Sequence, residues 1–331
     1  MNSAWANFLA GQTYPSDTGP LPAALFNDIT QLTVLRVSGS DASAFLQGQL
    51  TCDVLGLAAG RWTWGAYCSA KGRVLANFML WASASAYRIV LPQSLASSVA
   101  KRLRMFVLRS KVVIDDESES AVLLGIHHEE DASFLSSLGL HEPRDAFALI
   151  HQGALEVLWL SHGRALIAAP LEEAKTFWTA MQRKGHLEPA VSWDRLAIAQ
   201  GEPWVLPQTQ DAFVPQMLNL ELLGGVSFTK GCYPGQEIVA RSQHLGQVKR
   251  RLYPYRVTSG GAVAPGSSLY SGDGDVVGTV VNAVPAGQGS IEILAVVQAS
   301  AHAAPLHCGG PQGPRLELCT LPYAVPETRD G

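Results

Sequence analysis

The stretch RWTWGAYCSAKGRVLANFMLW, residues 61–81, alternates apolar with small or polar side chains on both sides of Ala70-Lys71-Gly72. Period-two alternation broken by a glycine turn is the pattern of a β-hairpin, whose strands are antiparallel. That reading decides the fold class. A doubly wound sheet is built from parallel strands joined by helical crossovers, which a central hairpin contradicts.

Outward from the hairpin, LTVLRV (32–37) reads as a strand, and Ser38-Gly39-Ser40-Asp41 as a turn and cap. Ala42, Phe45, Leu46 and Leu50 then share one helical face. AYRIVLP (86–92) is a strand, Ser94 can cap a helix carrying Leu95, Val99, Leu103 and Phe106, and KVVIDD (111–116) closes the unit. A looser version follows: strand AVLLGI, helix SFLSSLGL, strands LEVLWL and RALIAA, and helix LEEAKTFWTAMQR. From about Arg250 helical periodicity stops, and RLYPYRV, GDVVGTVVNAV and SIEILAVV read as strands of a separate antiparallel β-barrel or small sandwich. The expected class is α+β. Its body is residues 1–246, with two β/α units at roughly 28–118 and 119–190 and a closing segment 191–246; the barrel is 247–331. The tail LPYAVPETRDG reads as a loop or frayed end.

Composition narrows the function classes. With 331 residues, 47% of them apolar, the chain has room for two or three cores. A net charge of −4 gives no sequence-wide attraction to nucleic acid or anionic lipid. No run reaches the ~18–20 apolar residues of a membrane helix, and the start has no signal-peptide pattern. Cysteines stand at 52, 68, 232, 308 and 319, without CxxC pairs. That argues against a disulfide framework, a zinc knuckle or a cluster held wholly by this chain, and for a reducing cytoplasm. HHEED (127–131) reads as a solvated loop, and the glycines of YSGDGDVVGTV as a tight turn rather than a nucleotide loop. Lys101, Arg102, Arg104 and Arg109 form one basic cluster; Arg241, Lys249, Arg250 and Arg251 form another. The first is either a solvated face or a contact for phosphate or nucleic acid, and the two together could receive an anionic tail if the fold brought them to one place.

Cys232 stands apart. It lies in SFTKGCYPGQEIVAR (227–241), ahead of an amphipathic run with Ile238, Val239 and Leu245 at helical spacing and Pro234 at the helix start. A helix N-terminus and a nearby Lys230 both favour a thiolate. Gly231 and Gly235 permit close approach of another molecule. These features alone fit a functional thiol or a buried structural cysteine equally well.

KGCYPGQE (230–237) resembles the signature of the YgfZ family, K-G-C-aromatic-x-G-Q-E. FLQGQLTCDV (45–54), AKGRVLANF (70–78), the block from LAIAQGEPWV through IVAR, and VVGTVVNAV are similar to segments of that family, over roughly residues 28–300. The family is similar in fold to the T-protein of the glycine cleavage system, a folate-dependent aminomethyltransferase. The resemblance implies a three-domain ring, two ferredoxin-like α+β domains and a C-terminal β-barrel, around a channel for tetrahydrofolate. It also implies a link to iron–sulfur cluster assembly or maintenance, and through client enzymes to tRNA modification.

On that resemblance Cys232 is the working thiol or a transient iron–sulfur ligand, and Lys230 tunes its charge. Tyr233 and Gly235 shape the loop with Gly231, while Gln236, Glu237 and Arg241 complete the motif. Gln236 and Glu237 read equally well as helix N-terminal caps. Asn77, Gln49, Asp53 and Gln200, in the matching segments, are the implied cofactor-binding residues. Where T-protein carries carboxylates this chain has Ala76, Asn77 and Ala199, which argues against aminomethyl transfer. Two other classes stay open: a folate-dependent one-carbon transferase, and a non-catalytic module binding tRNA or protein.

Overall fold

The structure, a computed structural model, describes residues 2–15, 19–129, 132–143, 145–244, 248–258 and 263–326. The expected boundary at 246/247, Leu245, and the Glu130-Asp131 end of HHEED lie outside the described residues. Two compact units are present: one comprises Met1–Phe45, Gly56–Thr63 and Met79–Trp193, the other Leu46–Leu55, Trp64–Phe78 and Asp194–Gly331. The hairpin strands, Trp62–Cys68 and Val74–Ser83, contribute residues to both.

A five-stranded sheet runs in the order Trp62–Cys68, Val74–Ser83, Ala86–Pro92, Leu32–Ser38, Val113–Asp116. Leu32 pairs with Pro92 and Ser38 with Ala86, antiparallel throughout. The first unit also holds a six-stranded sheet, ordered His186–Leu187, Ala24–Asp28, Ala121–His128, Arg164–Pro170, Leu155–Trp159, Leu149–Gln152. One of its pairs, Ala24–Asp28 with His186–Leu187, is parallel. On one face of this sheet Leu124, Ile126, Val157, Trp159, Ala165 and Ile167 follow period two and are buried. Helix Leu171–Met181 meets them with Ala174, Phe177, Trp178 and Met181, a single 3.6-period stripe. Trp178 packs edge-on to Phe26 and Trp5 at centroid distances of 5.0 and 5.4 Å. Such pairs each add ~0.5–1.5 kcal/mol beyond their buried area.

Helix Gln93–Arg104 buries Leu95, Ala96, Val99, Ala100 and Leu103. It begins directly after Pro92, so Ser94 lies inside the first turn and is not the cap. It also ends before Phe106, in a turn where the Arg104 guanidinium donates to the Ile114 carbonyl at 2.5 Å. Phe106, expected on the buried face, is 43% exposed.

The second unit contains a closed antiparallel barrel of six strands: Arg250–Val257, Ile291–Gln298, Val276–Pro285, Ser268–Ser271, Leu306–Cys308 and Arg315–Leu318. Tyr255, Leu269, Val280, Ile293, Ala295, Val297 and Leu306 fill its interior. The glycine run at 272–278 is a hairpin turn leading into Val276–Pro285, as the tight-turn reading expects. Arg251 departs from the expected basic cluster: it is buried, ion-paired with Glu221, and donates to the Gln216 carbonyl at 2.8 Å.

His127 and His128 also differ from the solvated loop expected of HHEED. Both continue strand Ala121–His128 and are buried, because that strand lies between two neighbours in the sheet. Burial, then the facing Arg164 and adjacent His128, push His127 down to about 4. Its folded value is therefore below its unfolded one, and the unfolded chain takes up the proton first. Stability from a neutral His127 is complete above the unfolded value of about 6.5 and is lost as pH falls from there towards about 4. Urea melts across that window should show a shallower pH slope for His127→Gln than for the parent chain.

Candidate functional site

The hairpin turn closes through Gly72 N–H to the Ser69 carbonyl at 2.9 Å and Ser69 N–H to the Arg73 carbonyl at 2.8 Å. Asp211 accepts the Ser69 hydroxyl at 2.7 Å, and Arg73 donates to the Ala212 carbonyl. Against this turn lies Gly235. Its φ is +80°, and a Cβ there would stand 2.5 Å from the Gly72 Cα, the Gly72 nitrogen and the Ser69 oxygen. Gly72 itself has φ +68°, and its added Cβ would stand 2.9 Å from the Gly235 oxygen. Neither position accepts another residue without moving backbone.

Around this contact the loop residues separate by chemistry. The Lys230 ammonium donates to the carbonyls of Gln47, Leu50 and Cys52 at 2.5, 2.5 and 3.0 Å. Its three protons match three acceptors. It also lies 5.2 Å from the centroid of the Tyr233 ring. Burial pulls the Lys230 amine below its usual range. Tyr233 is buried, and burial pushes its phenol up. Between them Gly231 and Cys232 are exposed. Helix Gln236–His244 starts later than Pro234, which with Gly235 forms the preceding turn. Glu237 is exposed in its first turn, where an acid complements the helix N-terminus. Arg241 is exposed on the same helix. The buried Gln216 amide donates to the Val239 carbonyl at 2.7 Å and holds that helix from within.

The thiols divide sharply. Cys52 and Cys68 are buried and pushed up to about 12, chiefly by burial, so both are neutral near pH 7. Cys308 is buried and Cys319 half-buried, both raised. Cys232 is the exposed one.

The expected cofactor residues have different surroundings. Asn77 is fully buried and acts on backbone: its amide donates to the Pro203 carbonyl at 2.7 Å and accepts from Val205 N–H at 2.8 Å. Asp53 accepts from the Gln47 amide at 2.9 Å, while the Gln47 oxygen takes the N–H groups of Val54 and Leu55. Gln49 and Gln200 each hold a buried side-chain oxygen without a hydrogen-bond partner among the described residues. Such an acceptor costs roughly 1–3 kcal/mol until a donor meets it. Sequence reasoning missed Thr51, whose hydroxyl donates to the Gly225 carbonyl at 2.6 Å and accepts from Ala66 N–H at 2.8 Å. Arg73, Asp211 and Gln216 were missed as well. Their partners are more than 20 residues away in sequence, beyond any local pattern.

No family model matches the chain. It is 33% identical to the tRNA-modifying protein YgfZ of Hamiltonella defensa over 242 residues, 72% of this chain and 71% of that relative. It is 30% identical to the protein of the same name from Sodalis glossinidius over 319 residues, 95% of this chain and 97% of the other. The chain belongs to the YgfZ family. Among solved structures it is similar to aminomethyltransferase T of the glycine cleavage system from Bartonella henselae, with a TM-score of 0.74 at 17% identity, over 93% of this chain and 87% of that one. That likeness bears out the T-protein-like fold, with its mixed sheets and closed barrel. Where the T-protein pattern carries carboxylates, this YgfZ family member has Ala76, fully buried, Asn77, occupied by backbone, and Ala199, exposed.

Two outcomes follow for the loop. In the native chain a maleimide should modify Cys232 and leave Cys52 and Cys68 unmodified until denaturant is added; peptide mass mapping reads the sites. Gly235→Ala should lower stability by about 1–3 kcal/mol, since backbone must shift to admit the methyl group. A denaturation midpoint equal to that of the parent would contradict the close contact.

Proposed function

We propose that this chain is a folate-binding accessory factor for iron–sulfur cluster assembly or maintenance, with Cys232 as its working thiol. It would support tRNA modification indirectly, through iron–sulfur enzymes that carry it out. The observation that carries the reading is the Cys232 loop: Lys230 and Tyr233 are drawn inward on either side, and the thiol between them is exposed. A buried structural cysteine would need the opposite placement. The relatives' name, tRNA-modifying protein YgfZ, supports the downstream link.

The residues present fit a folate-type ligand in hydrogen-bonding chemistry. The unpartnered oxygens of Gln49 and Gln200 are acceptors, and a reduced pterin offers N–H donors. Tetrahydrofolate, when bound, carries one-carbon units. Gln49 and Gln200 would hold the pterin, while Asn77 fixes segment 203–205. Aminomethyl transfer is not part of the reading, because Ala76 and Ala199 supply no carboxylate to move a proton. The thiol's partners would be iron–sulfur client proteins.

In a strain lacking the native gene, Cys232→Ala should fail to restore the activity of iron–sulfur enzymes while melting like the parent chain. Full rescue would remove the thiol role. Calorimetry with tetrahydrofolate should give binding that survives Cys232→Ser and weakens about ten-fold or more when Gln49 and Gln200 are both changed to Ala. Equal affinity in the double variant would remove these residues from the ligand site.

A further inference from the structure

Helix Gln93–Arg104 ends in a turn that presents an unusual surface. Met105 and Leu108 are 64% and 87% exposed, Phe106 is 43% and Val113 is 55% exposed. Lys101, Arg102, Arg104, Arg109 and Lys111 are exposed among them, and no acidic residue occurs between Gln93 and Ile114. Carboxylates stand at the borders only: Asp41 accepts the Lys111 backbone N–H at 2.7 Å, and Asp115 pairs with Arg36 at 3.5 Å. The turn is fixed rather than collapsed. Arg104 anchors it to the Ile114 carbonyl, and Leu108 has φ +48°, a strained conformation for a leucine that holds its side chain away from the core.

We propose that residues 101–113 dock an acidic protein surface, one whose carboxylates ring an apolar recess that receives Leu108, Met105 and Phe106. Charge complementarity selects the partner's sign: five cations without an acid, in a chain whose net charge is −4, attract an anionic surface and repel a basic one. The apolar residues select the partner's class. A phosphate backbone gives Leu108 and Met105 nothing to pack against, whereas a protein recess buries them, and Met, Phe and Arg are enriched at protein interfaces. An anionic bilayer would also attract cations, but the turn offers few apolar side chains, and the apolar face of helix Gln93–Arg104 is already buried and cannot lie in the interface. The proposal does not depend on the Cys232 reading: these residues could dock a partner whether or not the thiol works.

The test uses the full chain and a random copolymer of Glu and Tyr as the acidic, apolar-bearing probe, followed by fluorescence anisotropy. Poly-Glu, a tRNA transcript and phosphatidylglycerol vesicles are the comparison probes. The expected result is binding of the copolymer tighter than poly-Glu, weakened about ten-fold by Met105→Ser with Leu108→Ser. Arg109→Glu with Lys111→Glu should weaken it as strongly and flatten its salt dependence. Because these side chains are exposed, both variants should melt like the parent chain. The proposal is overturned if the copolymer does not bind, or if either double variant binds it like the parent. It is equally overturned if tRNA binding, or vesicle binding, depends on Met105 and Leu108 while copolymer binding does not. Cys232→Ala should bind the copolymer normally, which separates failure of this surface from failure of the thiol reading.

Discussion

The second unit turns on one backbone contact, Gly72 against Gly235. Two backbone segments meet there, and both glycines take positive φ. With Gly235 pinned to the hairpin turn, the residues just before it have little freedom. Tyr233 goes inward, Lys230 reaches the carbonyls of 47, 50 and 52, and Cys232 is left facing solvent. The thiol is thus exposed on a loop whose Gly235 end is held against the hairpin turn.

A second constraint is that irregular segments must find hydrogen bonds outside any sheet ladder. Side chains act as substitute backbone throughout this unit. Asn77 pairs with 203 and 205 as a strand would, and the Asn282 amide does the same for both polar groups of Trp204. Thr51 and Lys230 serve the segments at 225 and 47–52, and Gln216 the helix carbonyl of Val239. Polar residues so used are poor candidates for ligand contact, because a ligand would have to displace a bond already made. The same logic turns attention to Gln49 and Gln200, whose oxygens have no such duty.

Much of this was legible in the sequence, and the failures have physical reasons. Strand Ala86–Pro92 and helix Leu171–Met181 start where alternation and 3.6 periodicity place them. The barrel's longer strands were readable for the same reason, while Leu306–Cys308 and Arg315–Leu318 are too short to show a period. Polarity misled where tertiary contacts override it. His127 and His128 look solvated in HHEED but belong to an interior strand, and Arg251 looks like part of a basic patch but is matched by Glu221. Lys230 was singled out as a charge near a thiol; its carbonyl partners lie 178 to 183 residues away, which no local pattern encodes.

The distribution of the thiols constrains what the proposed iron–sulfur role can be. Cluster irons take several thiolate ligands, up to four for a cluster held by one protein. Cys52 and Cys68 are buried and neutral, and among the described residues no group of three His, Cys, Asp or Glu is arranged to hold a metal ion. Any ligation through Cys232 would therefore have to be shared, with the remaining ligands supplied by the client protein or a small thiol. A shared ligand is one that can be given up. On the proposed reading, the chain would act at the moment of transfer or repair rather than as a store, and an exposed thiol beside a loop end packed on the hairpin turn suits such an exchange.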